Sequence, residues 1–259
     1  METGTTVKFS PDTPQRVVVK GYDWGMGLCT AILTLEQPAA PEAVNAGIFE
    51  QVVEERESFD WATFQPEHIV IRVPRTVRDA YICSPDGARS TQPDRYVRVE
   101  FACTPATTPA CFDLHKQRSS WCDPYHLLYT VNGETFAPPV DLNHARLPQL
   151  EPFCMEQSFT GSDGRTLKYA YYEPEDARKA PEQKRPLVIW LHGAGEGGTN
   201  TFLPLLGNKA TALASPEFQQ AMGWAAYLLL PQTNGFWMEY DAPDTWAQNP
   251  GKPSVYTKT

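Results

Sequence analysis

At 259 residues, 41% of them hydrophobic and 20% charged, the chain is long enough for two ordinary domains, each with its own buried core. A net charge of −9 without any block of Lys or Arg argues against the basic surface that a nucleic-acid partner needs. No apolar stretch approaches a membrane span, so no membrane partner is expected. The opening METGTTVKFSPDTPQR lacks the basic start and apolar run of a secretory signal. Cytoplasmic and secreted locations both stay open.

From residue 1 to about 150 the chain alternates short β segments with turn residues. VVVKGYDWG (17–25), CTAILTLE (29–36), HIVIRVPR (68–75), DAYICS (79–84), RYVRVEFAC (95–103) and YHLLYTV (125–131) are rich in Val, Ile, Tyr and Leu. The clearest alternation sets Tyr96, Arg98 and Glu100 against Val97, Val99 and Phe101, as a half-solvated strand requires. Ser84-Pro85-Asp86-Gly87 and Val131-Asn132-Gly133-Glu134 are strong turn signals. Strands at this spacing predict an all-β, immunoglobulin-like sandwich over 1–150, with Trp24, Trp61 and Trp121 expected in its core.

Six cysteines are too few and too scattered for a disulfide scaffold. Cys111-x3-His115 followed by Cys122-x3-His126 pairs thiols with imidazoles, yet it matches common zinc spacings poorly. Buried thiols, with one local disulfide such as Cys103–Cys111, are the preferred expectation, and no metal or cofactor is assigned.

After about 150 the pattern changes. FCMEQSFT (153–160) and TLKYAYYEP (166–174), joined by Gly161-Ser162-Asp163-Gly164, predict a hairpin. LVIWL (187–191), apolar throughout, predicts a strand covered on both faces in a parallel sheet. A broken helical stretch over 208–222 restarts at Ser215-Pro216-Glu217 as cap, first-turn proline and first-turn acid. AAYLLLP (225–231) predicts another buried strand, which makes an α/β unit. The domain boundary is expected between Leu147 and Pro152, giving a second domain over 151–259.

The segment between the two apolar strands, HGAGEGG, ends a strand on a loop with four glycines in six positions. As a phosphate loop it fails, because Thr199 stands where a lysine must be. As a dinucleotide fingerprint, Gly193-x-Gly195-x-x-Gly198 needs a helix from its third glycine, which Pro204 and Gly207 interrupt. An oxyanion hole needs only backbone N–H groups that an oxygen can approach, and His-Gly-Ala-Gly after a buried strand supplies them.

LVIWLHGAGEGGTN, followed by GNKATALASPEFQ and LLLPQT, resembles esterases of the depolymerase or prolyl-oligopeptidase-like group. In these an immunoglobulin-like domain precedes an α/β-hydrolase domain. DAYICSPDG and WCDPYHLLYTV look like strands of that first domain but are less specific. The resemblance implies a serine carboxylic-ester hydrolase needing no cofactor and acting on a small-molecule or polymeric ester. It implies that Ala194, with Gly193 or Gly195 as alternatives, donates the hole's amide, while His192 braces the loop. Glu196 is expected to turn away, held by a cation or a nearby N–H.

The aromatic loop after the last strand, with Phe236 and Trp237, either lines an acyl or alcohol pocket or packs as an ordinary loop. The family's nucleophile motif G-x-S-x-G is missing, and no histidine follows His192. The expectation is therefore an N-terminal part of an esterase, inactive alone, comprising a multidomain fold of β-sandwich and the first four hydrolase strands. A pseudoenzyme, or a non-catalytic module binding carbohydrate or protein, is the alternative.

Overall fold

The computed structural model describes residues 7–162, 164–222, 225–235 and 237. The chain divides into two compact units, Met1–Cys111 with Trp121–Pro148, and Phe112–Ser120 with Gln149–Thr259. The segment Phe112–Ser120, counted with the first domain by its place in the chain, thus belongs to the second unit.

The strands up to residue 136 are β1 (Arg16–Tyr22), β2 (Gly25–Ala39), β3 (Gln51–Ser58), β4 (Ile69–Pro74), β5 (Val77–Cys83), β6 (Asp94–Phe101), β7 (Ala110–Asp113), β8 (Arg118–Trp121), β9 (Tyr125–Val131) and β10 (Glu134–Phe136). Eight of them build two four-stranded sheets, ordered β1-β2-β6-β5 and β10-β9-β3-β4, while β7 and β8 pair with each other. Every pairing in the two four-stranded sheets is antiparallel. In β6 the inward set Val97, Val99 and Phe101 is buried, each side chain contributing about 1.5–3 kcal/mol by leaving water. The outward Arg98 pairs with Glu100 at 2.5 Å.

Strand β3, like the short β7, β8 and β10, was not revealed by the alternation. Its sequence QVVEERES looks solvated, yet Glu54 is fully buried and Arg56 nearly so. Glu54 accepts from Arg56 Nε at 2.8 Å, from Tyr125 Oη at 2.9 Å and from Arg75. Arg75 also donates to the Leu28 carbonyl at 2.6 Å, so this ionic cluster links β3 to β2 of the other sheet. The tryptophans do not fill the core. Trp61 is 63% exposed, Trp121 is half-buried, and Trp24 is half-buried and stacked on Tyr22. Tyr129, Leu28, Leu33, Ile82 and Leu127 occupy the interior instead.

The second unit contains β11 (Cys154–Thr160), β12 (Thr166–Tyr172), α1 (Glu175–Lys179), β13 (Leu187–Ile189), α2 (Phe202–Leu206), α3 (Pro216–Ala221) and β14 (Tyr227–Gln232). Its sheet runs β11-β12-β14-β13. β12 pairs antiparallel with β14, and β13 pairs parallel with it, with α2 and α3 in the crossover. Pro204 is tolerated because it falls in the first turn of α2, which ends at Gly207. Ser215 caps α3 by accepting from Phe218 N–H at 3.2 Å.

LVIWL departs from the expectation. Leu187, Ile189 and Leu191 are 56%, 54% and 58% exposed, so one face of β13 is open rather than covered. Among the described residues, no helix is long and apolar enough to cross a membrane.

Glu54→Gln leaves Arg56 and Arg75 buried without their counter-charge. A loss of about 3–5 kcal/mol in urea-unfolding free energy is expected, and a loss below 1 kcal/mol would mean that water reaches the cluster.

Candidate active site

The glycine loop leaves the carboxyl end of β13 and is clamped by the residues ending β14. Gln232 Nε2 donates to the Glu196 carbonyl at 2.8 Å and to the Asn200 carbonyl at 3.2 Å. Thr233 O accepts from Gly198 N–H at 2.7 Å, and Thr233 N–H donates to His192 Nε2 at 3.1 Å. Because Nε2 is an acceptor, the imidazole proton sits on Nδ1, which donates to the Gly193 carbonyl at 2.9 Å. His192 is therefore buried and neutral, and burial lowers its pKa. Its ring ties the loop to the sheet, and both nitrogens are engaged.

Trp237 packs on the His192 ring at 5.1 Å and donates Nε1–H to the His192 carbonyl at 3.1 Å. Phe236 lies outside the described residues. Glu196 folds back onto its own loop, and among the described residues no cation is hydrogen-bonded to it. Oε2 accepts from Gly193 N–H at 2.7 Å, and Oε1 accepts from Asn208 Nδ2 at 2.7 Å. Burial raises its pKa, and the two donors partly offset that.

Gly193, Ala194 and Gly195 consequently differ. The Gly193 amide is committed to Glu196. Gly195 forms a parallel bridge with Arg118, and its carbonyl accepts from Ser119 N–H at 2.7 Å. Ala194 is exposed, and its N–H donates to no partner among the described residues. Two of the glycines serve backbone geometry. Gly195 has φ +87° and lies against the Phe112 ring, while a Cβ on Gly197 would sit 2.2 Å from the Gly235 carbonyl oxygen.

Ser119, Asn208, Gln232 and Thr233 escaped the sequence reading as parts of this site. The one available signal was the polar pair Gln232-Thr233 closing an apolar strand. Two serines named in the sequence keep local roles: Ser215 caps α3, and Ser162 lies in a turn.

No protein-family model matches the chain. No curated protein matches it. Among solved structures, the crystal structure of a thermostable esterase matches with a TM-score of 0.57 and 19% identity, over 87% of this chain. The fold is esterase-like. The chain spans 59% of that esterase's length, and at this identity the likeness concerns fold alone.

Gly197→Ala forces the loop off the Gly235 carbonyl, and a loss of about 1–3 kcal/mol is expected in urea unfolding. An unchanged midpoint would show that the loop yields freely.

His192 gives a pH signature. Its folded pKa lies below the ordinary 6.5, so its contribution is complete above about pH 6.5 and is lost as pH falls toward the folded value. The stability lead of wild type over His192→Gln should shrink between neutral pH and about pH 5. A constant lead would contradict the neutral, doubly engaged ring.

Proposed function

We propose that this chain carries the oxyanion-hole segment of a serine carboxylic-ester hydrolase of α/β-hydrolase type, related to depolymerase and prolyl-oligopeptidase-like esterases, with an immunoglobulin-like sandwich before it. The observation that carries the reading is the exposed, unengaged Ala194 N–H on the loop leaving β13. The carboxyl ends of parallel strands are where open α/β sheets build their sites. The esterase-like fold and the sheet order β11-β12-β14-β13 support the same reading.

In the reaction proposed, a serine attacks an ester carbonyl and the oxygen becomes negative. The Ala194 amide donates to that oxygen, and a second donor comes from the residue after the nucleophile. The base is not His192, whose nitrogens are both held. Trp237, fixed on His192, is proposed to border the acyl or alcohol group, with Phe236 beside it in sequence.

The test compares two variants within the full open reading frame that encodes this sequence. Ala194→Pro deletes the N–H and should lower kcat on p-nitrophenyl acetate about 100- to 1000-fold. Ala194→Gly keeps the N–H and should stay near wild type. Equal activity in Ala194→Pro and wild type would sink the proposal. Absence of esterase activity from the whole reading frame would instead favour a pseudoenzyme.

A binding role for the first unit has one observation in its favour: Trp61 and Phe64, 63% and 58% exposed, cluster with Phe59. Quenching of tryptophan fluorescence by a soluble polysaccharide, lost in Trp61→Ala, would support this second reading. A signal unaffected by polysaccharide would remove it.

A further inference from the structure

The first unit holds a second cluster of reactive groups, apart from the glycine loop. Glu57 near the end of β3, His68 just before β4, Cys111 in β7 and Cys122 just after β8 converge there. His68 Nδ1 lies 2.8 Å from Glu57 Oε2, and His68 Nε2 lies 3.8 Å from Cys111 Sγ. The thiols of Cys111 and Cys122 are hydrogen-bonded to each other. One donor atom each from Glu57, His68 and Cys111 falls within 4.8 Å of the others. Both cysteines are buried, at 3% and 4% exposure, and none of the six cysteines is joined in a disulfide.

The local spacing pointed to His115 and His126 as partners of these thiols, but both are exposed and neither belongs to the cluster. The expected Cys103–Cys111 disulfide is absent as well. The imidazole comes from position 68, far away in the chain.

We propose that His68 Nε2, Cys111 Sγ and Cys122 Sγ bind a zinc-class divalent cation, with Glu57 holding the His68 ring from behind. Zn–S bonds of about 2.3 Å and Zn–N bonds of about 2.0–2.1 Å place tetrahedral N and S ligands about 3.5 Å apart. The His68–Cys111 pair, at 3.8 Å, needs a contraction of only a few tenths of an ångström, whereas Cys122 lies outside the group whose donor atoms fall within 4.8 Å of one another and must turn its thiol toward the ion. Two thiolates and an imidazole select zinc-like ions over magnesium or calcium, which take oxygen ligands.

Glu57 occupies the place of an outer carboxylate on a metal-bound histidine, fixing the proton on Nδ1 and freeing Nε2 for the ion. It is itself oriented, since Oε1 accepts from Asp123 N–H at 2.7 Å. Three protein ligands leave one position for water or an external donor, and the His68 side chain is 25% exposed.

Cobalt(II) is the direct probe, added to the full chain under a phosphine reductant. One equivalent should give tetrahedral visible absorption and a thiolate-to-cobalt charge-transfer band of two-thiolate intensity, both removed by zinc. Cys111→Ser and Cys122→Ser should each lose most of that band, while Cys154→Ser should keep it. Glu57→Gln should weaken zinc binding about 10- to 100-fold with an unchanged circular dichroism spectrum. If the serine variants fail to fold, the wild-type band decides: two-thiolate intensity supports the site, and one or none overturns it. A Cys111–Cys122 disulfide that persists under the reductant and excludes cobalt would also overturn it.

Discussion

A half-buried carboxylate governs the glycine loop. Four glycines in six positions give a backbone with many conformations, and glycine loses more freedom on folding than any other residue. Glu196 offsets that freedom by gripping the loop at Gly193 N–H and anchoring it to Asn208. The fit is close enough that a Cβ on Gly207 would sit 2.1 Å from Glu196 Oε1. The same grip determines which amides remain available, since it takes Gly193 and leaves Ala194. Burial raises the Glu196 pKa, and the bonds from Gly193 N–H and Asn208 partly offset that rise.

The two four-stranded sheets of the first unit are specified by a related device. Side chains alternate along a strand, so a slip of one residue in β3 would throw Glu54 and Arg56 to the opposite face. Glu54 meets two guanidiniums and the Tyr125 hydroxyl only in the observed register. Apolar neighbours alone tolerate repacking, whereas a buried charge without partners is expensive. Arg75 extends this specification across the two sheets through the Leu28 carbonyl.

Those two clusters explain what the sequence made legible. Strands with apolar residues inside and polar residues outside, such as β6, could be read directly from their period. β3 could not, because its inward positions carry charges and the pattern mimics a solvated face. LVIWL looked doubly covered because an apolar run does not say which face is open. The cap at Ser215 is local chemistry and could be read; the clamp of Gln232 and Thr233 on a loop more than thirty residues earlier is not. Cys111 and Cys122 stood out by spacing, but their imidazole at His68 is brought to them only by strand pairing. Tryptophans were assigned to the core because immunoglobulin-like sandwiches commonly bury one, whereas the loop between β3 and β4 holds Trp61 outward.

The glycine motif itself teaches a narrower point. Glycines suggest an open approach for a ligand, yet here they mostly admit other parts of the same chain. Gly195 accommodates the Phe112 ring, Gly197 the Gly235 carbonyl, and Gly198 a backbone turn at φ +128°. Ala194, the non-glycine between Gly193 and Gly195, needs neither positive φ nor close approach, and its N–H donates to no partner among the described residues. One such donor is worth about 2.7–4 kcal/mol to an oxyanion. That is a small part of the barrier reduction in an efficient hydrolase, about 8–23 kcal/mol. Under the function proposed above, the loop would supply this one donor, and most of the rate would come from the attacking group and the second donor that arrives with it.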